Sequence, residues 1–168
     1  MKKLLIAAIF VLALVLVSCG ENEEKSTNES DVTVSEYSPV SIKDTLATSP
    51  ALADTIIYAP ETENVLDEDY FDYYFGSSEL LSGISDYVYF TSATTAVREA
   101  GVFKVKDEKT KNALLEAFGA RKENLKAIYE NYSPEDVARA DAMISGSFDD
   151  IVWFVATDDN NAIKEIIE

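Results

Sequence analysis

An α+β fold, an antiparallel sheet of about four strands with one long helix and several shorter helices packed on it, follows from three features of the sequence. Two pairs of short stretches carry strand-like runs, alternating or wholly apolar. Between those pairs, Glu108 to Tyr132 repeats its apolar residues at spacings of three and four, the period of a helix. Helix-start residues, Pro and Gly punctuate the remainder. The order is helices, hairpin, long helix, hairpin, helix, which lays helices on an antiparallel sheet.

The folded part is expected over residues 41–168. "TSPALADTIIYAP" predicts a helix, with Ser49 as N-cap, Pro50 at the first helical position, and Leu52, Ile56 and Ile57 at helical spacing before Pro60. "VLDEDYFDYYFG" predicts a second, from Asp67 to Phe75, stopped by Gly76. "SDYVYFTSA" alternates Tyr87 and Tyr89 against Val88 and Phe90. "AGVFKVKD" alternates Phe103 and Val105 against Lys104 and Lys106, with a bulge expected at Gly101. Asp107 is placed to cap the long helix, whose stripe is Leu114, Phe118, Arg121, Leu125, Ile128 and Tyr132. Ser133-Pro134-Glu135-Asp136 opens a short helix. "ADAMISGSF" and "DIVWFVATD" read as a second hairpin around Gly146 to Asp150. Its last strand is apolar on both faces, as a covered central strand would be. Asn160 to Ile167 closes the chain as a helix with Ile163, Ile166 and Ile167 inward.

The 168 residues hold 31 acidic against 14 basic side chains, a formal net charge of -17, and no histidine. So acidic a surface repels phosphate backbones and anionic lipid, which argues against nucleic-acid binding and against membrane attachment by surface charge. Without histidine there is no Ser-His-Asp triad, no Cys-His dyad and no His-ligated zinc. With one cysteine there is no internal disulfide. No cofactor motif is present.

That cysteine, Cys19, stands at a seam. Lys2 and Lys3 precede an apolar run, Leu4 to Val17, of signal-peptide length and shorter than a spanning helix. The run ends Leu16-Val17-Ser18-Cys19-Gly20, which resembles the lipobox of bacterial lipoproteins. The resemblance implies a diacylglycerol thioether on Cys19 and removal of residues 1–18. Two acyl chains then give a stable anchor. Residues 19–40 follow as a polar, acidic tether with little to bury. The expected location is extracytoplasmic, at the outer leaflet of the cell membrane. An acidic run directly after the cysteine also resembles surface-export signals, which makes the surface of an outer membrane a second reading.

Candidate contact residues are few. Arg121 sits on the apolar stripe of the long helix, where an arginine is awkward. It either grips an anionic ligand or pairs with Glu99 at the mouth of the first hairpin, or it lays its stem on the core edge while the guanidinium reaches water or a carboxylate. Tyr73, Tyr87 and Tyr89 belong to a dense aromatic group in which an exposed pair would offer a stacking platform, although helical spacing makes most of the group core. Asp149, Asp150, Asp158 and Asp159 are weak candidates for a divalent metal. None has EF-hand spacing, and capping explains most such acids. A pair of carboxylates in a cleft would permit glycoside hydrolysis, but no spacing in the sequence assembles one.

Glu99-Ala100-Gly101-Val102-Phe103-Lys104-Val105-Lys106-Asp107, Arg121, and Tyr132-Ser133-Pro134-Glu135 resemble the motifs of the domain-of-unknown-function 4358 family, small lipoproteins common in Gram-positive anaerobes. The resemblance covers Leu66 to Ile167. It implies a lipoprotein location and an α+β fold, with no activity to inherit. Where that family often steps Gly, polar, Tyr into its final strand, this chain has Gly146-Ser147-Phe148.

The sequence therefore leads to a lipid-anchored, non-enzymatic module binding an unknown envelope protein or wall component. A metal- or glycan-binding lipoprotein is the alternative, and a carboxylate-based hydrolase a weaker one. Cys19→Ala is expected to abolish lipidation and move the protein out of the membrane fraction. Normal processing and undiminished membrane partitioning of that variant would refute the anchor.

Overall fold

The computed structural model describes residues 36–168. The signal segment, Cys19 and most of the acidic tether lie outside the described residues. Five strands form one sheet: β1 (Thr55–Tyr58), β2 (Ile84–Ser92), β3 (Glu99–Val105), β4 (Ile144–Phe148) and β5 (Ile151–Ala156). Their spatial order is β1-β2-β3-β5-β4, and every neighbouring pair is antiparallel. Five α-helices cover it: α1 (Lys43–Ala47), α2 (Glu68–Phe75), α3 (Glu108–Tyr129), α4 (Pro134–Asp141) and α5 (Asn160–Ile167). Among the described residues no helix is long and apolar enough to cross a membrane.

The period-two alternation of the strands splits the core in two. Tyr89, Phe103, Val152 and Phe154 point to one face and meet Phe71 and Phe75 of α2, Leu114 and Phe118 of α3 and Ala140 of α4. Val88, Phe90, Val102, Trp153 and Val155 point to the other and meet Leu46 of α1 and Ile163 and Ile167 of α5. The sheet is thus the middle of three layers, and all six residues of β5 are buried. The wholly apolar strand is indeed central, between β3 and β4.

Helix starts follow their caps. The Asp67 carboxylate accepts the Tyr70 N–H at 2.8 Å, Asp107 the Thr110 N–H at 2.7 Å, and Asp159 the Ala162 N–H at 3.1 Å. Gly76 ends α2 at φ 73°, a left-handed conformation glycine adopts without steric penalty.

Four local expectations are corrected. Residues 49–57 do not form a helix. Pro50–Leu52 make a single 3₁₀ turn, Asp54 turns the chain at φ 58°, and Thr55–Tyr58 pair with β2 as a fifth strand. The β-branched run Thr55-Ile56-Ile57 gains more from ladder bonds against Tyr89 to Ser92 than from one helical turn. The bulge lies between Ile84 and Asp86, and Gly101 pairs in register with Tyr89. The long helix stops at Tyr129, which leaves Tyr132 85% exposed beyond it. Packing also begins upstream of Ser41: the Tyr37 ring meets Phe148 edge-on at 5.4 Å, and Pro39 is buried.

Gly101 is required by close approach. A Cβ built there stands 2.6 Å from ring carbons of both Phe103 and Phe154, so the backbone must pass under two aromatic edges. Gly101→Ala is expected to lower stability by about 1–3 kcal/mol, as overpacking of a dense core does. A shift of the urea midpoint at unchanged slope is the measurement that checks it.

Candidate functional site

Glu99 opens β3 and shares the α3-facing side with Gly101, Phe103 and Val105. Arg121 follows Phe118 by one helical turn on the buried stripe of α3. The two therefore meet inside the protein. Arg121 Nε donates to Glu99 Oε2 at 3.1 Å and Nη2 to Oε1 at 2.5 Å, a bidentate pair with side chains only 8% and 5% exposed. Of the sequence readings for Arg121, the pairing with Glu99 is the one observed; the reading that lays its stem on the core edge is corrected, because the guanidinium is held in the interior. Burial alone would lower the basicity of Arg121; the Glu99 carboxylate overrides it and holds the cation above its ordinary range.

Tyrosines cover this pair. The Tyr74 ring lies 5.0 Å from the Arg121 guanidinium carbon and 5.3 Å from the Tyr89 ring. Tyr70, one turn before Tyr74 on α2, stacks near it at 6.1 Å and touches Tyr58 of β1 at 5.4 Å; Tyr73 meets Tyr74 edge-on at 5.1 Å. Burial pushes the Tyr58 phenol up to about 12, with Tyr70 adding to the shift. Burial also drives Tyr89 well above its ordinary value, and Glu99 adds to it. Tyr129 of α3 is raised by burial and feels the charges of Asp136, Glu99 and Arg121.

Only part of the predicted aromatic platform is at the surface. Tyr73 is 73% exposed and Tyr70 43%. Tyr89 is fully buried, and Tyr87 is buried with its hydroxyl accepting the Leu66 N–H at 2.8 Å. The exposed pairing of Tyr73 with Tyr87 or Tyr89 does not form, because Tyr89 lies beneath Tyr74 and Phe75 of α2 and Tyr87 lies against Phe103 and the Leu66 backbone. Sequence reasoning missed Tyr74 and Tyr129 as the groups next to the ion pair. The four-residue step from Tyr70 to Tyr74 was the available signal.

The acidic candidates are scattered. Asp149 and Asp150 make the β4–β5 turn, Asp149 at φ 45°, and Asp150 is buried 3.7 Å from Lys104 Nζ. Asp158 binds Arg98 at 3.5 Å and also Arg139, while Asp159 caps α5. The six residues of β5 separate the two pairs by roughly 20 Å, at about 3.3 Å per residue. Among the described residues no group of three or more Asp, Glu, Cys or His side chains converges on a metal position. An open cleft of about 860 Å³ lies between the 3₁₀ turn Ser78–Gly83 and the start of α3. Its Lys106 donates to the Ser82 carbonyl and its Asp107 caps α3, so both serve the fold.

Chemically, the arrangement is suited to holding. Both oxygens of Glu99 are occupied by Arg121, and the exposed surface above offers aromatic faces and phenol hydroxyls. Arg121→Met alone is expected to cost about 3–5 kcal/mol, because it strands a buried carboxylate. The double variant with Glu99→Met is expected to recover most of that loss. Denaturant midpoints of the wild type, both single variants and the double variant check it; additive losses would refute the coupling.

No curated protein and no solved structure matches the chain. A family model described as a domain of unknown function, DUF4358, matches residues 59–157. That span takes in β2 to β5, α2 to α4 and the Arg121–Glu99 pair, more than half of the chain, which therefore belongs to the DUF4358 family.

Proposed function

We propose that the protein is a lipid-anchored extracytoplasmic module, attached at the outer leaflet through Cys19, that binds an envelope or protein partner without transforming it. The binding face is the exposed side of α2, around Tyr73 and Tyr70. The observation that carries this reading is the contrast within one aromatic group. Tyr73 stands 73% exposed while its neighbours Tyr74 and Tyr89 are fixed over a buried ion pair. A large amphipathic side chain on a rigid base loses little entropy on binding, which is why tyrosines dominate binding hot spots. A wall glycan is the second reading, favoured by the half-exposed Tyr70 ring, whose flat face suits a sugar.

Photo-crosslinking in the producing cells tests both. With p-benzoylphenylalanine in place of Tyr73, a discrete protein adduct is expected, absent when the probe replaces Glu165 on the exposed side of α5. Retention of the Tyr73-probe protein in the wall fraction would favour the glycan. No adduct, or the same adducts from both positions, would overturn the binding face.

A further inference from the structure

The exposed face of α2 lies in the longest stretch of the chain without a basic side chain. Residues 44–97 hold ten acidic side chains and no lysine or arginine. Asp69, Tyr70, Asp72 and Tyr73 form the exposed side of the helix. Asp69 stands one helical turn from both Asp72 and Tyr73, and Tyr70 one turn from Tyr73, so carboxylates and rings share one patch. Tyr70 continues the patch to the sheet edge. It touches Tyr58 at 5.4 Å, and Ile56, two residues earlier on the same face of β1, is exposed.

Elsewhere the chain answers its own carboxylates: Asp136 and Asp158 meet Arg139, and Asp141 meets Lys126. Asp69 and Asp72 form no ion pair among the described residues. Nor do they belong to any group of three or more possible metal ligands among those residues. The interior shows what carboxylate and phenol ring take together. There the Arg121 guanidinium donates to both oxygens of Glu99 while its carbon lies 5.0 Å from the centre of the Tyr74 ring. Asp69, Asp72 and Tyr73 repeat those components at the surface, with no cation supplied by the chain. A planar guanidinium stacks on a ring and pairs with a carboxylate at once, which a compact ammonium does less well.

We infer, resting on the binding face placed on α2 above, that the partner presents an arginine-bearing cationic segment of a polypeptide to it. Its guanidinium groups stack on Tyr73 and Tyr70 and pair with Asp69 and Asp72, and opposite charge steers the encounter. A second copy of this chain is a poor occupant, since it brings a net charge of -17 and the same acidic stretch. Phosphate backbones and anionic lipid are repelled in the same way.

The test uses the full chain in neutral detergent micelles at about 0.1 M salt, where exposed charges more than about 10 Å apart are largely screened. The probes are a capped peptide, Ser-Arg-Gly-Arg-Ser-Arg-Gly, and its counterparts with Lys or Glu for Arg, each labelled with an uncharged dye and followed by anisotropy. The arginine peptide is expected to bind saturably and about threefold tighter than the lysine peptide, and the glutamate peptide not to bind. Tyr73→Ala is expected to weaken the arginine peptide about threefold, the effect of an exposed cation–π contact, and to remove its advantage over lysine. Asp69→Asn with Asp72→Asn is expected to weaken it about fivefold, the effect of two surface ion pairs. Glu165→Gln with Glu168→Gln removes the same charge from α5 and is expected to leave the affinity within about twofold. No binding of the arginine peptide, an equal loss in the α5 variant, or no loss in either α2 variant would overturn the proposal. Binding of the glutamate peptide that is lost in Tyr73→Ala would keep the tyrosine face and overturn its cationic partner. The adduct formed in cells at Tyr73 reports the face and not the charge of what meets it, so the two readings fail separately.

Discussion

The pairing of β3 with β5 governs how the rest of the domain is arranged. All six residues of β5 are buried, and of the seven in β3 only Lys104 reaches partial exposure. Neither strand has a polar face. Each buried Val or Phe contributes about 1.5–3 kcal/mol only while water is kept off it, so both sides of this pair must be covered. One side takes α2, α3 and α4, with Phe118 against Phe154 at 4.7 Å. The other takes α1, the 3₁₀ turn Pro50–Leu52 and α5. The segment around Tyr37 and the closing helix are therefore structural parts of the domain.

The same constraint explains the ion pair. Glu99 is the one carboxylate on the α3-facing side of β3, and the three-layer arrangement removes it from water. A buried carboxylate without a partner is strongly unfavourable, and α3 supplies Arg121 at the place where its apolar stripe would otherwise carry a leucine. The pair then organises what surrounds it. Tyr74 is drawn over the guanidinium, and Tyr70 and Tyr73 take their positions from Tyr74. A residue that is awkward on a helical wheel thus sets the geometry of an exposed surface two side chains away.

Much of this was legible. Capping residues marked α2, α3, α4 and α5, and β2, β3 and β5 were visible from alternation or from apolar runs between turn residues. Arg121 stood out because charge on an apolar stripe is unusual, and Glu99 entered as its candidate partner at the mouth of the first hairpin. What failed had a common physical cause. In the stretch 49–58 a helical spacing and a β-branched run coexist, and only the open edge of β2 decides between them. Tyr87 and Tyr89 look like a surface pair until the Leu66 backbone and α2 are laid over them. Both are long-range contacts, and local sequence carries no record of those.

The layer arrangement also fixes where the exposed tyrosines stand. The described chain enters on the α1–α5 side of the sheet, where the Tyr37 carbonyl accepts from Lys104 Nζ at 3.0 Å and its ring meets Phe148. Tyr73 belongs to the opposite layer, on α2. The covered central strands oblige helices on both faces, so the residues at which the described chain begins and the exposed tyrosines of α2 lie on opposite sides of the sheet.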